Sequence, residues 1–267
     1  MHWIECYFGS DFVEELILSK VRIDKLLVER GLTSSRERAQ ALILAGRVLV
    51  DEQKIEKSGA AVDASAVIRL LGGGIRYVSR GGLKLEHALA YWQIDVRGAK
   101  CMDVGASTGG FTDCLLQHGA ALVLAVDTGY GQIDARLRGD QRVRLLEKTN
   151  ARYLEAAQVP EHIDLIAMDV SFISATLVLP AVLRAAFAGK AAGRQEAVIL
   201  VKPQFEAGRE QVGKGGIVRD PEAQQFAVEK VRRAAAELGA TGIEVTESPI
   251  FGAEGNREFL LHCMFHW

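Results

Sequence analysis

The chain has 267 residues, 49% of them hydrophobic and 25% charged, with a formal net charge of −2. That length and mix predict an ordinary packed core in one large or two modest domains. The charge balance excludes a uniformly basic surface, and four scattered cysteines (Cys6, Cys101, Cys114 and Cys263) exclude zinc-ligand spacing and a disulfide framework, so reduced thiols in a cytoplasmic protein are expected.

Residues 1–20 are an N-terminal extension whose Trp3, Phe8, Phe12, Leu16 and Ile17 fit either an apolar helix face or an unstructured lead. No basic segment runs into an apolar core there, so no secretory signal is expected. The pattern sharpens at Val21. Ile23, Leu26, Leu27 and Arg30 sit at helical spacing, and Gly31 supplies a stop. Ser34 and Glu37 have capping-box spacing for a second helix, with Ala39, Leu42, Ile43 and Ala45 on its buried side and Gly46 at its end. Val48 and Val50 alternate as a strand, residues 51–54 turn, and residues 67–70 read as another strand. The result is a small α+β module over residues 21–71. Residues 21–90 carry 12 Lys/Arg against 8 Asp/Glu, whereas the rest of the chain is net acidic, a split that fits a local contact with nucleic acid.

The residues Arg22-Ile23-Asp24-Lys25-Leu26, Ser35-Arg36 with Ala39, and Gly46-Arg47-Val48-Leu49-Val50 resemble an S4 domain. That resemblance implies binding to structured RNA, with Arg22, Arg36, Arg38 and Arg47 on phosphates, which position RNA without reading its sequence. On spacing alone the same arginines read equally well as a solvated helix face.

Gly72-Gly73-Gly74 marks a linker, expected over residues 72–82. In the remainder, residues 83–267, strand-like runs at 100–104, 122–126, 164–168, 197–201, 243–247 and 258–264 alternate with helix-like runs at 83–92, 110–119, 176–188 and 221–238. Such alternation predicts an α/β fold with a mostly parallel, doubly wound sheet covered on both faces. The most apolar stretch, residues 170–183, is interrupted by Pro180 and is shorter than the roughly 20 residues a bilayer span takes, so no membrane partner is expected.

Within this part, Asp103-Val104-Gly105-Ala106-Ser107-Thr108-Gly109-Gly110-Phe111 joins a strand to a helix, and Asp127 closes the next apolar run. Glycines at such a turn allow backbone angles closed to other residues and let a ligand approach. Ligands of open α/β sheets bind outside the carboxyl ends of the strands, where this turn lies. Asp127 follows Gly105 by 22 residues, a spacing suited to a carboxylate on ribose hydroxyls. A dinucleotide fingerprint wants a third glycine where Ser107 stands. The pattern instead resembles motif I of the Rossmann-like methyltransferases, which implies S-adenosylmethionine as cofactor, held by Asp103, Gly105, Ser107, Gly109, Gly110, Phe111 and Asp127. Asn150 stands where related enzymes contact adenine, and reads equally well as a turn residue.

Four charged residues stand at element ends: Lys84 after Ser79-Arg80-Gly81-Gly82, Asp169 after Leu165-Ile166-Ala167-Met168, Lys202 after Ala197-Val198-Ile199-Leu200-Val201, and Glu258 within Gly255-Asn256-Arg257-Glu258-Phe259. Each alone is as readily a solvated strand end. Together they resemble the Lys-Asp-Lys-Glu tetrad of the FtsJ-like ribose 2′-O-methyltransferases. The blocks Asp169-Val170-Ser171-Phe172-Ile173-Ser174, Val201-Lys202-Pro203-Gln204-Phe205-Glu206 and Gly213-Lys214-Gly215-Gly216-Ile217-Val218-Arg219-Asp220, with the S4-like front, resemble the TlyA family, also labelled haemolysin A, over about residues 21–264. The resemblance implies methylation of cytidine 2′-hydroxyls in ribosomal RNA, on RNA or on ribosomal subunits, without a metal. A ribose hydroxyl is a poor nucleophile and needs a positioned base; Lys202 is the candidate, with Lys84, Asp169 and Glu258 around it. Two other classes compete. A non-catalytic RNA-binding assembly factor would have no use for the tetrad, and a membrane-lytic protein would need a span or a cationic amphipathic helix. Within the enzyme class, base methylation is the alternative to ribose methylation. The sequence leaves the target nucleotide and the oligomeric state open.

Overall fold

A computed structural model describes residues 20–33, 35–71, 76–189, 193–252 and 254–266. The extension, apart from Lys20, lies outside them, as do Ser34 and the linker glycines. Contacts divide the chain into two units, residues 1–74 and 75–267.

In the first unit, β1 (Lys20–Arg22) leads into α1 (Ile23–Glu29) and α2 (Arg36–Leu44). There follow β2 (Val48–Val50), β3 (Gln53–Lys54), β4 (Ala61–Asp63) and β5 (Ile68–Leu70). Strands β3, β2 and β5 form one antiparallel sheet, and β1 pairs with β4. Ile23, Leu26, Leu27, Ala39, Leu42 and Ile43 are buried, the helical faces their spacing predicts. Three local expectations change. The cap of α2 is Ser35, whose side chain accepts from the Arg38 N–H at 3.3 Å, while Ser34 is outside the described residues. Strand β2 buries Val48, Leu49 and Val50 alike, so its apolar run marks a strand covered on both faces rather than an alternating one. Residues 53–54 extend the turn into a hairpin, because Asp51 and Glu52 take positive φ and reverse the chain themselves.

The second unit begins before the expected linker ends: Tyr77 is fully buried, and a Cβ on Gly82 would collide with its ring. Its elements are α3 (Gly81–Tyr91), β6 (Lys100–Val104), α4 (Gly110–Gln117), β7 (Leu122–Val126), α5 (Ala135–Arg138), β8 (Val143–Leu146) and β9 (Leu165–Met168). Then come α6 (Ala175–Phe187), β10 (Glu196–Val201), α7 (Pro203–Glu206), α8 (Pro221–Glu237), β11 (Thr241–Glu247) and β12 (Phe259–Met264). Among the described residues the strands form one seven-stranded sheet in the order β11-β12-β10-β9-β6-β7-β8. Pairing is parallel from β10 to β8, and β12 runs antiparallel to both its neighbours.

Side-chain alternation divides the core in two. Met102 and Val104 join Val178, Leu179 and Val231 of α6 and α8 on one face, while Cys101 joins Leu85, Leu89 and Leu115 of α3 and α4 on the other. Cys101, Cys114 and Cys263 are buried, which pushes each thiol up to about 12. Among the described residues no helix is long and apolar enough to cross a membrane.

Candidate active site

Parallel strands bring their carboxyl ends to one edge, and order reverses between β6 and β9, where the chain winds first towards β8 and then towards β10. A crevice forms at such a switch point. Two adjoining lobes open there, of about 530 and 390 Å³. Both are lined by Gly105, Ser107, Asp169, Ser171 and Phe172.

The larger lobe holds all four charged residues of the expected tetrad. Lys84 comes from the first turn of α3, Asp169 follows β9, and Lys202 follows β10. Glu258 precedes its strand rather than following it, yet reaches the same edge because β12 is antiparallel. The register pairs Val201 with Phe259, so the next positions outward are Lys202 and Glu258. The four form two ion pairs. The Lys84 ammonium donates to Glu258 Oε2, both side chains being nearly buried. Lys202 Nζ lies 2.6 Å from Asp169 Oδ1 and donates to Ser171 Oγ at 2.7 Å. Gly110 and Phe111 line this lobe too. Ser171 was not expected as a partner of Lys202; its place two residues after Asp169 was the available signal.

The smaller lobe is lined by Asp127, Thr128, Gly129, Thr149, Asn150 and Val178. Asp127 follows β7, and its carboxylate accepts from the Ser107 N–H at 2.8 Å and the Gly129 N–H at 2.6 Å. Asn150 lines the lobe and also caps a short turn, accepting from the Arg152 N–H at 3.0 Å. Its two readings are therefore compatible. Gly105 has φ +89°, and a Cβ there would collide with the Asp169 carbonyl, so only glycine fits the shared floor.

Two expected cofactor contacts lie elsewhere. Asp103 lines neither lobe: it is fully buried, and its Oδ2 accepts from the Thr112 N–H at 2.9 Å and hydroxyl at 2.6 Å. Alternation puts position 103 on the α3 and α4 face, opposite to Met102 and Val104. Burial pushes its carboxyl up to about 7, against the pull of the Thr112 hydrogen bonds. Gly109 also lines neither lobe; its φ of +96° starts α4, and a Cβ would strike Leu137.

Phe172 has no role implied by the motif that holds it. It takes φ +64°, is 92% exposed, and stands 5.4 Å from the Phe205 ring at the larger lobe. A bulky residue held in the left-handed region with its ring in solvent points to a functional constraint.

In the first unit, Arg22 and Arg36 share one fully buried carboxylate, Asp24, at 2.9 and 3.0 Å. The Arg22 hydrogen bonds, with those of Gln40 and Arg36, hold the Asp24 carboxyl well below the usual range despite its burial. Both guanidinium groups remain about half exposed, and a guanidinium has five donors, so pairing with Asp24 leaves capacity for phosphate. Arg38 lies in the first turn of α2, and Arg47 is half-buried just before β2.

Residues 77–265 match the family described as FtsJ-like methyltransferase, and residues 21–68 match the S4 domain. The 16S/23S rRNA (cytidine-2'-O)-methyltransferase TlyA of Mycobacterium tuberculosis is 45% identical over 243 residues, covering 91% of this chain and 89% of that protein. Hemolysin A of Brachyspira hyodysenteriae is 40% identical over 243 residues, 91% of this chain and 99% of that one. A solved structure of a provisionally named hemolysin from Streptococcus thermophilus is 43% identical, with a TM-score of 0.71 over 93% of this chain and 89% of that one.

Proposed function

The chain belongs to the FtsJ-like methyltransferases that carry an S4 domain in front, the TlyA family, and from that premise we propose that it methylates the ribose 2′-hydroxyl of a cytidine in ribosomal RNA. The observation that carries the reading is the pair of ion pairs, Lys84 with Glu258 and Lys202 with Asp169, in the lobe next to the glycine floor.

The smaller lobe fits a nucleoside. Asp127 presents a carboxylate already ordered by two backbone N–H groups, and the Gly105 floor leaves no side chain in the way. Asp127 would hold the ribose of S-adenosylmethionine, Asn150 would face its base, and Gly105 and Ser107 would lie between the lobes. When bound, that cofactor supplies an electrophilic methyl group. The rest falls to this chain's side chains. Asp169 at 2.6 Å and the hydrogen bond to Ser171 Oγ at 2.7 Å orient the Lys202 amine in the lobe, where, once it has given up its own proton, its lone pair would take the proton of the acceptor hydroxyl. Lys84, held by Glu258, places a positive charge in the same lobe. Phe172 and Phe205 offer ring faces on which the acceptor base can stack. Arg22, Arg36, Arg38 and Arg47 would hold the RNA through phosphates, and the half-exposed guanidiniums of Arg22 and Arg36 support that.

Methylation of separated ribosomal subunits with labelled cofactor, followed by digestion to nucleosides, tests the reading. The expected product is 2′-O-methylcytidine. A base-methylated nucleoside would move the site to base chemistry, and no product on either subunit or on free rRNA would leave a non-catalytic RNA-binding factor.

A further inference from the structure

We propose that Glu206 is a positioning residue that latches the two catalytic loops together. The inference rests on the reading of Lys202 and Asp169 above. These residues leave adjacent strands, β10 and β9, and each begins a loop. The first loop runs from Asp169 through Ser171 and Phe172 to the start of α6; the second is α7, which ends at Glu206. Glu206 is 4% exposed and lines neither lobe. Its carboxylate accepts from the Ser174 hydroxyl at 2.5 Å and from the Ala175 N–H at 2.6 Å, so the end of one loop is tied to the end of the other.

A carboxylate at the first turn of α6 satisfies an otherwise orphaned N–H and meets the positive end of the helix dipole. A buried carboxylate needs a partner, and Lys230 of α8 supplies one at 3.2 Å while also donating to the Glu206 carbonyl at 2.9 Å. The latch thus fixes both ends of the loop pair to a third element. On its cavity side stand the Lys202–Asp169 pair and the two rings, Phe172 and Phe205, whose spacing depends on the same two loops. Displacements of an ångström in such an arrangement cost rate rather than binding.

The test uses the full-length chain with Glu206→Ala, Glu206→Gln and Ser174→Ala. Single-turnover methylation of rRNA at saturating cofactor, cofactor affinity by calorimetry, and amide hydrogen exchange over residues 169–176 are measured on each. Glu206→Ala should lose rate at least about 30-fold, within the range for misplaced catalytic groups, with cofactor affinity changed less than about threefold and faster exchange at Ala175. Glu206→Gln keeps an acceptor for the Ala175 N–H and a donor for Ser174 while giving up the Lys230 ion pair, and should recover part of the rate and protection. Should Glu206→Ala fail to fold, Ser174→Ala removes the hydroxyl's bond to Glu206 along with its cap on the Thr176 N–H, leaves the Ala175 N–H on Glu206, and should lose about fivefold in rate. Unchanged rates in the alanine variants, equal losses of rate and cofactor affinity, or Glu206→Gln as impaired as Glu206→Ala would each overturn the latch. If the wild-type chain methylates no rRNA, the proposed reaction falls instead, while the exchange data still decide whether Glu206 joins the loops.

Discussion

Along the smaller lobe the wall is made of turns: backbone N–H groups order Asp127, and Asn150 is fixed by the turn it caps. Along the larger lobe the wall is made of charge: two lysines and two carboxylates, paired across elements up to 174 positions apart in sequence. A binding surface can be assembled locally, because a carboxylate held by its own neighbours is ordered before any ligand arrives. A surface that handles protons needs charges out of water, and such charges persist only in pairs. The lobes should therefore respond to substitution in different quantities, the smaller in affinity and the larger in rate and stability.

The largest effect should come from Lys202. Lys202→Ala is expected to slow single-turnover methylation at least about 100-fold, the lower range for general acid–base catalysis, with cofactor affinity unchanged. Lys202→Arg should fail as badly, since a guanidinium does not give up its proton near neutral pH. A loss seen in affinity and not in rate would erase the distinction between the lobes.

The Lys84–Glu258 pair tests the stability half. Removing one partner strands a buried charge, so Lys84→Met or Glu258→Gln alone should cost about 3 kcal/mol in urea unfolding, and the double variant should recover part of it. Additive losses of under about 1 kcal/mol each would mean the pair behaves as a surface bridge.

These two pairs mark where the sequence was informative. Lys84, Asp169, Lys202 and Glu258 were legible because each sits in a distinct block at an element end, and the sheet needs only to align the ends. The alternating strands and helices were legible for the same reason, period by period. Strand β8 was absent from the expected runs because it is four residues long, at the sheet edge, and broken by Arg144. Asp103 and Gly109 were drawn into the cofactor set by their neighbours, although the pleat turns Asp103 to the other face and Gly109 serves the start of α4. Glu206 and Ser171 had no periodic signal at all; their roles exist only once two loops meet.

For the smaller lobe, Asp127→Ala should weaken S-adenosylmethionine binding by about 1–3 kcal/mol, the scale for leaving hydrogen-bonding groups unsatisfied. The rate at saturating cofactor should be nearly unchanged. Calorimetry showing the wild-type affinity would remove Asp127 from the ribose, and a loss of rate at saturation would place it with the catalytic lobe.

Asp103 supplies the control, a strand-end carboxylate between Asp127 and Asp169 in the sheet that lines neither lobe. Burial pushes its carboxyl up to about 7 in the folded chain, against about 3.9 for an unfolded aspartate. Between those values the folded state binds more protons than the unfolded one, so stability falls as pH rises through that window. Asp103→Asn keeps an acceptor for Thr112 and removes the titration. Its stability relative to wild type should therefore improve from pH 5 to pH 8, by about 1–2 kcal/mol, while cofactor affinity stays the same at both. Any cost of the new amide is independent of pH and cancels from the difference. Parallel stability profiles for the two proteins would show that Asp103 is already ionised where it sits, and would return it to the company of the carboxylates that face the cavity.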